Sequence, residues 1–128
     1  MWKVTMANNR SWMPLYWGDY LADTQHLSTL EHGAYFLLIG RYWTSGKPLL
    51  ADDEYLARIA RLPLRQWLKI RPSLEELFCC DHGVWRHKRI DHELQKGEVR
   101  YRKRLAASRI GNAARWPVNG SGHGRPDE

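Results

Sequence analysis

The longest regular alternation of apolar and polar positions begins at Ser28. Apolar side chains recur at Leu30, Ala34, Leu37, Leu38 and Tyr42, the period of a helix with one packed face. Ser28 and Glu31 have capping-box spacing: the hydroxyl can accept the N3 amide while the carboxylate reaches back to the cap amide. Gly46 stands where such a helix would end, with Pro48 beyond it. A glycine there can take the left-handed conformation that closes a helix. The pattern predicts a helix over 28–46, with its buried face at the heart of the core.

Shorter patterns flank it. Residues 15–22, LYWGDYLA, predict a short amphipathic helix or turn. In LLADDEYLARIARLP, Asp52 or Asp53 can cap a second main helix, and acids in its first turn suit the helix dipole. Its buried stripe is Leu56, Ile59 and Ala60, and Pro63 closes it. A third helix follows in LRQWLKIRPSLEELF, with a stripe of Leu64, Trp67, Leu68, Leu74, Leu77 and Phe78. Pro72 lacks a backbone donor, so this helix is expected to kink there or to divide into two short helices.

Asp81–His82–Gly83 is a turn signal between β-prone runs. Phe78–Cys80 and Val84–Arg89 are expected to pair as a hairpin, with Val84 and Ile90 inward. Arg86, Lys88 and Arg89 would then face water or an anion. The segment 91–110 reads as a polar, basic helix weakened by Gly97. Beyond Gly111 the chain is rich in Gly, Asn, Pro and Ser without periodicity, which predicts a flexible tail. The order helix, helix, short turn, helix, hairpin, helix is that of a winged helix-turn-helix. The expected fold is therefore mainly α with a small β-hairpin. Residues 1–12 form an N-terminal extension, 13–105 the domain and 106–128 a flexible basic tail.

Charge adds a partner to this picture. Lys and Arg balance Asp and Glu from Met1 to Trp85, whereas eleven cations face five acids from Arg86 to Glu128, which supplies the whole net charge of +6. Such asymmetry points to an anionic partner, above all nucleic acid. Between Arg58 and Arg71 lie five cations and no acid. Arg65 and Lys69 are four apart and share a helix face, with Gln66 adjacent. A guanidinium suits guanine and an amide suits adenine. Arg61, Arg86, Lys88 and Arg89 would hold phosphates, which carry no sequence information. His87 would lie near a phosphate, and Arg100 to Arg104 would add sequence-independent affinity. The expected ligand is double-stranded DNA. The competing reading is a solvated or protein-facing surface, in which Lys69 and Arg71 pair with Glu75 and Glu76 and an apolar patch forms at Trp12, Trp17 or Trp43.

Other chemistry finds little support. The adjacent Cys79 and Cys80 cannot form a disulfide framework, which suggests a reducing cytoplasm. His82, His87 and His92 lack zinc-ligand spacing, so no metal or other cofactor is expected. Asp19 and Asp23 share helical spacing as paired carboxylates of a nuclease would. No nucleophile or phosphate-loop motif accompanies them, so no enzymatic activity is expected. No run of 18 apolar residues exists to cross a membrane.

Three stretches also carry a likeness. GDYLADT (18–24), LSTLEHGAY (27–35) and WRHKRID (85–91) resemble the YdaU-like family of phage and prophage proteins, over about residues 13–95. The resemblance implies a component or regulator of phage DNA replication, with phage or host replication proteins such as a helicase loader or initiator as further partners. It supplies no catalytic residues. It leaves open an interaction module that docks such a partner without touching DNA.

Overall fold

The structure, a computed structural model, describes residues 11–115, with side chains as far as Gly111. Most of the expected N-terminal extension, and the tail from residue 116 onward with Trp116, lie outside these residues. The described part is mainly helical with a small antiparallel sheet. The elements are α1 (Trp17–Asp23), α2 (Thr29–Ser45), β1 (Leu49–Leu50), α3 (Asp53–Ala60), α4 (Leu64–Glu75), β2 (Cys79–Asp81), β3 (Val84–Arg86) and α5 (Lys88–Arg115). The sheet order is β1-β3-β2, with both pairings antiparallel.

Local signals fix the helix ends. The amide of Glu31 donates to Ser28 Oγ at 3.2 Å and the amide of Ser28 to Glu31 Oε1 at 2.7 Å, so the capping box is complete. Gly46 closes α2 in the left-handed region at φ 72°. Asp52 caps α3 by accepting the Tyr55 amide at 3.1 Å. Helix α4 runs without interruption through Pro72 as one element.

The core lies between α2, α3, α4 and the sheet. Leu38, Tyr42, Leu56, Trp67, Leu74 and Trp85 are wholly excluded from solvent. Burying large apolar side chains of this kind supplies most of the driving force for folding. The α4 stripe is rotated from its expected position. Leu64 and Leu68 are exposed, whereas Ile70 is buried with Trp67 and Leu74. Three apolar side chains then face inward and a different pair faces water.

The hairpin is shorter than expected, and its inward side chain is Trp85. Strand β3 stops at Arg86, and its register pairs Cys79 with Arg86, Cys80 with Trp85 and Asp81 with Val84. His82 and Gly83 both have positive φ, 53° and 75°, the requirement of a two-residue primed turn. His87 then starts α5: its carbonyl accepts the Asp91 amide at 2.9 Å and its Nδ1 accepts the Ile90 amide at 3.3 Å. Lys88 and Arg89 therefore belong to the first helical turn and not to the β-ribbon. Leu49 and Leu50, which carry no strand signal of their own, pair with Trp85 and Val84 as the third strand. Helix α5 also passes Gly97 and Gly111 without a break and reaches Arg115, beyond the end expected near Gly111.

Candidate nucleic-acid interface

Helix α3 closes through Arg61, whose amide donates to Arg58 O while the Leu62 amide donates to Ala57 O at 3.0 Å. This pair of bonds is a Schellman closure, which places Arg61 at the left-handed position (φ 60°) where glycine is usual. Pro63 follows with φ −60° in the extended region, and α4 starts at once. The connection between the two helices is three residues long.

The orientation of α4 is set by a carboxylate. Asp53 Oδ1 accepts Trp67 Nε1 at 2.9 Å, and Arg71 Nη1 donates to both Asp53 oxygens at 3.0 and 2.9 Å. The Arg71 guanidinium also lies over the Trp85 ring at 5.7 Å and near Glu75 at 3.5 Å. Arg71 is thus half-buried and tied across elements, and its charge is used inside the fold. A charge-assisted pair of this sort holds α4 against α3 and the sheet together.

With Trp67, Ile70 and Leu74 turned inward, Arg65, Gln66 and Lys69 are exposed, as is Arg61 at the preceding turn. None of these four makes an ion pair or a side-chain hydrogen bond among the described residues. The first turn of α4 also contains no acid, in contrast to the Asp53 and Glu54 that open α3. The N-terminal half of α4 therefore presents the helix dipole and two cations with nothing to neutralise them. Leu64 and Leu68, at 40% and 46% exposure, lie beside them.

The other three expected site residues gather at the junction of β3 and α5, with His87 among them. Arg86 Nη1 lies 3.4 Å from Asp91 Oδ2. Arg89 is held by Asp19 at 2.9 Å and lies over the Tyr16 ring at 5.8 Å; the hydrogen bond to Asp19 raises its pKa further. Lys88 is exposed and makes no ion pair among the described residues. The ribbon itself carries a single cation, Arg86, and its turn carries Asp81 next to His82 at 3.4 Å. It is not the strongly basic surface that the sequence suggests.

His87 is not aimed at an outside anion. It is half-buried, and its Nε2 lies 2.8 Å from the Tyr35 hydroxyl. Nδ1 accepts the Ile90 amide, so the proton of the neutral ring sits on Nε2 and is donated to Tyr35. Burial, with Arg89 nearby, lowers its pKa. Local sequence gives no hint of a second bridge, in which the Tyr42 hydroxyl donates to Asp91 Oδ1 at 2.5 Å and accepts the His87 amide at 3.1 Å. Burial and the bond to Asp91 push the Tyr42 pKa up to about 12.

The competing sites come out differently. Trp43 is buried, whereas Trp12 and Trp17 are exposed. Leu21, one turn after Trp17, is exposed with it. Asp19 is engaged by Arg89, and no group of three or more His, Cys, Asp or Glu side chains is placed to hold a metal among the described residues. No helix among them is long and apolar enough to cross a membrane.

Residues 11–95 match the model of a family described as "Protein of unknown function (DUF1376)". The chain is also similar to "Uncharacterized protein YdaU" of Escherichia coli K12, with 45% identity over 104 residues. That match covers 81% of this chain and 36% of the relative, so the chain spans about a third of the relative's length. No solved structure matches the chain.

Proposed function

The chain belongs to the family described as Protein of unknown function (DUF1376), and we propose that it is a winged-helix protein that binds double-stranded DNA through α4. Helices α2, α3 and α4 with the three-stranded sheet suit that fold, α3 and α4 being the helix-turn-helix and β2–β3 the wing. The observation that carries the reading is the run of exposed, unneutralised side chains Arg61, Arg65, Gln66 and Lys69 along the α3–α4 turn and α4. In the major groove, Arg65 and Gln66 have the donors and acceptor for base edges, and Leu64 or Leu68 can cover a thymine methyl. Arg61 and Lys69 hold phosphates. Lys88 is available for a further phosphate. Arg86 and Arg89 contribute only by giving up Asp91 and Asp19, so the wing is the lesser contact.

No step of this activity calls for catalysis. In its biological setting the protein is a component or regulator of phage or prophage DNA replication, acting in the cytoplasm. That role rests on the likeness to the YdaU-like family. A second reading, an interaction module that docks a replication protein without DNA contact, draws on the exposed pair Trp17 and Leu21.

Fluorescence anisotropy with a labelled random duplex separates the two. The parent protein is expected to bind at low salt, and Arg65→Ala/Lys69→Ala to lose roughly tenfold or more in affinity. Absence of binding by the parent at low salt would exclude the DNA reading and leave the interaction module.

A further inference from the structure

A second surface shares with this one only Arg61. A groove of about 690 Å³ lies between α2 and α3 on their solvent side. Its floor is apolar: Phe36, Leu37, Gly40, Tyr55 and Ile59 line it. Phe36 is 44% exposed there, a large cost in unburied aromatic surface for a helix whose other aromatic residues, Tyr35, Tyr42 and Trp43, are buried. Gly40 lines the floor without a side chain. It lies within a regular helix, and a Cβ built on it would meet nothing within 4 Å, so open space stands above it.

Arginines rim the floor. Arg41 on α2, and Arg58 and Arg61 on and after α3, line the same groove, and no acidic residue does. None of the three makes an ion pair or a side-chain hydrogen bond among the described residues. Three guanidinium groups around an apolar hollow favour an occupant that brings carboxylates and apolar side chains together. A nucleic-acid duplex would satisfy the arginines but leave the floor uncovered. An amphipathic helix would cover both. The facing segments, residues 36–44 and 55–61, are about two turns long, so the occupant needs apolar anchors one turn apart.

We propose that the α2–α3 groove is a docking site for a short, acidic, amphipathic helix of a partner protein. Its apolar stripe packs on Phe36, Leu37 and Ile59, and its flanking Asp or Glu side chains pair with Arg41 and Arg58, which leaves Arg61 to the duplex. The site is independent of whether α4 binds DNA. A protein carrying both would hold a duplex on one face and an acidic protein segment on another.

The probe is a labelled synthetic helical peptide of roughly twelve residues with Leu at i, i+3, i+4 and i+7 and Glu elsewhere, beside its Lys-for-Glu counterpart. Binding is followed by anisotropy and by amide chemical shifts of the labelled full chain. The acidic peptide is expected to bind, with shifts centred on residues 36–44 and 55–61, and the Lys peptide not to bind. Gly40→Trp fills the groove without touching the core, and Arg41→Glu/Arg58→Glu inverts its rim. Each is expected to weaken the acidic peptide at least roughly tenfold, while duplex affinity stays within about twofold in the uncharged Gly40→Trp variant, which leaves the field around α4 as it is. An unchanged circular dichroism melt shows that the variants fold. Equal binding of the two peptides, shifts that fall elsewhere, or no binding at millimolar peptide would overturn the proposal. A parallel loss of duplex binding in Gly40→Trp would also overturn it, since the groove would then belong to the DNA surface.

Discussion

Arg61 occupies a backbone conformation that an L side chain adopts at a cost. A non-glycine residue in the left-handed region is destabilised by about 1–2 kcal/mol, and such positions are concentrated where the side chain does something. Arg61→Gly is therefore expected to raise the unfolding free energy by about 1 kcal/mol and, at the same time, to weaken duplex binding severalfold. Chemical denaturation and anisotropy on the same preparation check it. If stability rises and affinity is untouched, Arg61 holds no phosphate. The residue scale is also where local patterns are most informative. Ser28, Glu31, Gly46 and Asp52 act within a few residues of themselves, so spacing alone identifies them. Arg71 is legible only in part: spacing pairs it with Glu75, which lies at 3.5 Å, but its other partners Asp53 and Trp85 stand 18 and 14 positions away and no periodicity links them.

At the scale of elements, the sequence misleads where one period allows two solutions. Leu64, Trp67, Leu68, Ile70 and Leu74 surround much of α4, and the sequence cannot choose which adjacent pair turns outward. Contacts across the fold do: Trp67 is fixed by Asp53 and lies 6.0 Å from the Trp85 ring, which rotates Leu68 and Lys69 to solvent. Strand β1 is invisible in the sequence because two residues have no period, and its formation depends on β3 already being in place. The β3–α5 junction reads as one long ribbon since nothing local marks His87 as a helix start. That junction carries its own expectation. His87 keeps its neutral form in the fold, next to Tyr35, Arg89, Asp91 and Asp23, with a pKa below its ordinary value near 6.5. The unfolded chain then takes up a proton first as pH falls, so stability is constant above that value and declines below about 6.5 until the folded ring also titrates. Protonated Nδ1 would face the Ile90 amide it now accepts. Thermal melts from pH 8 to 5 should show this decline in the parent and a shallower one in His87→Gln; parallel curves would mean that another group is responsible.

For the whole molecule, the long axis of α5 matters most. Its 28 residues extend about 42 Å, and residues 102–111 are all exposed. From Val99 to Arg109 it carries five cations and no acid, with Arg102 near Glu98 at 3.5 Å and Arg104 over the Tyr101 ring at 5.9 Å. An arm so little packed contributes little to folding and much to the electrostatic field. A chain ending at Glu98 is expected to melt within a few degrees of the parent. Its duplex affinity should fall, and its log affinity should depend less steeply on log salt, the slope shrinking by roughly 0.9 for each phosphate that the arm no longer neutralises. A salt titration of both proteins decides this. An unchanged slope would show that the arm stands clear of the DNA.

The Asp53 clamp has one more consequence. By taking Trp67 and Arg71 from the inner side of α4, it fixes the tilt of that helix with side chains that never meet the outer one. Residues 64, 65, 68 and 69 are then relieved of any duty to the core. The outer side of α4 can be rewritten, letter by letter, while its mounting stays the same. Divergent relatives sharing the mounting would be free to acquire different targets without passing through unfolded intermediates.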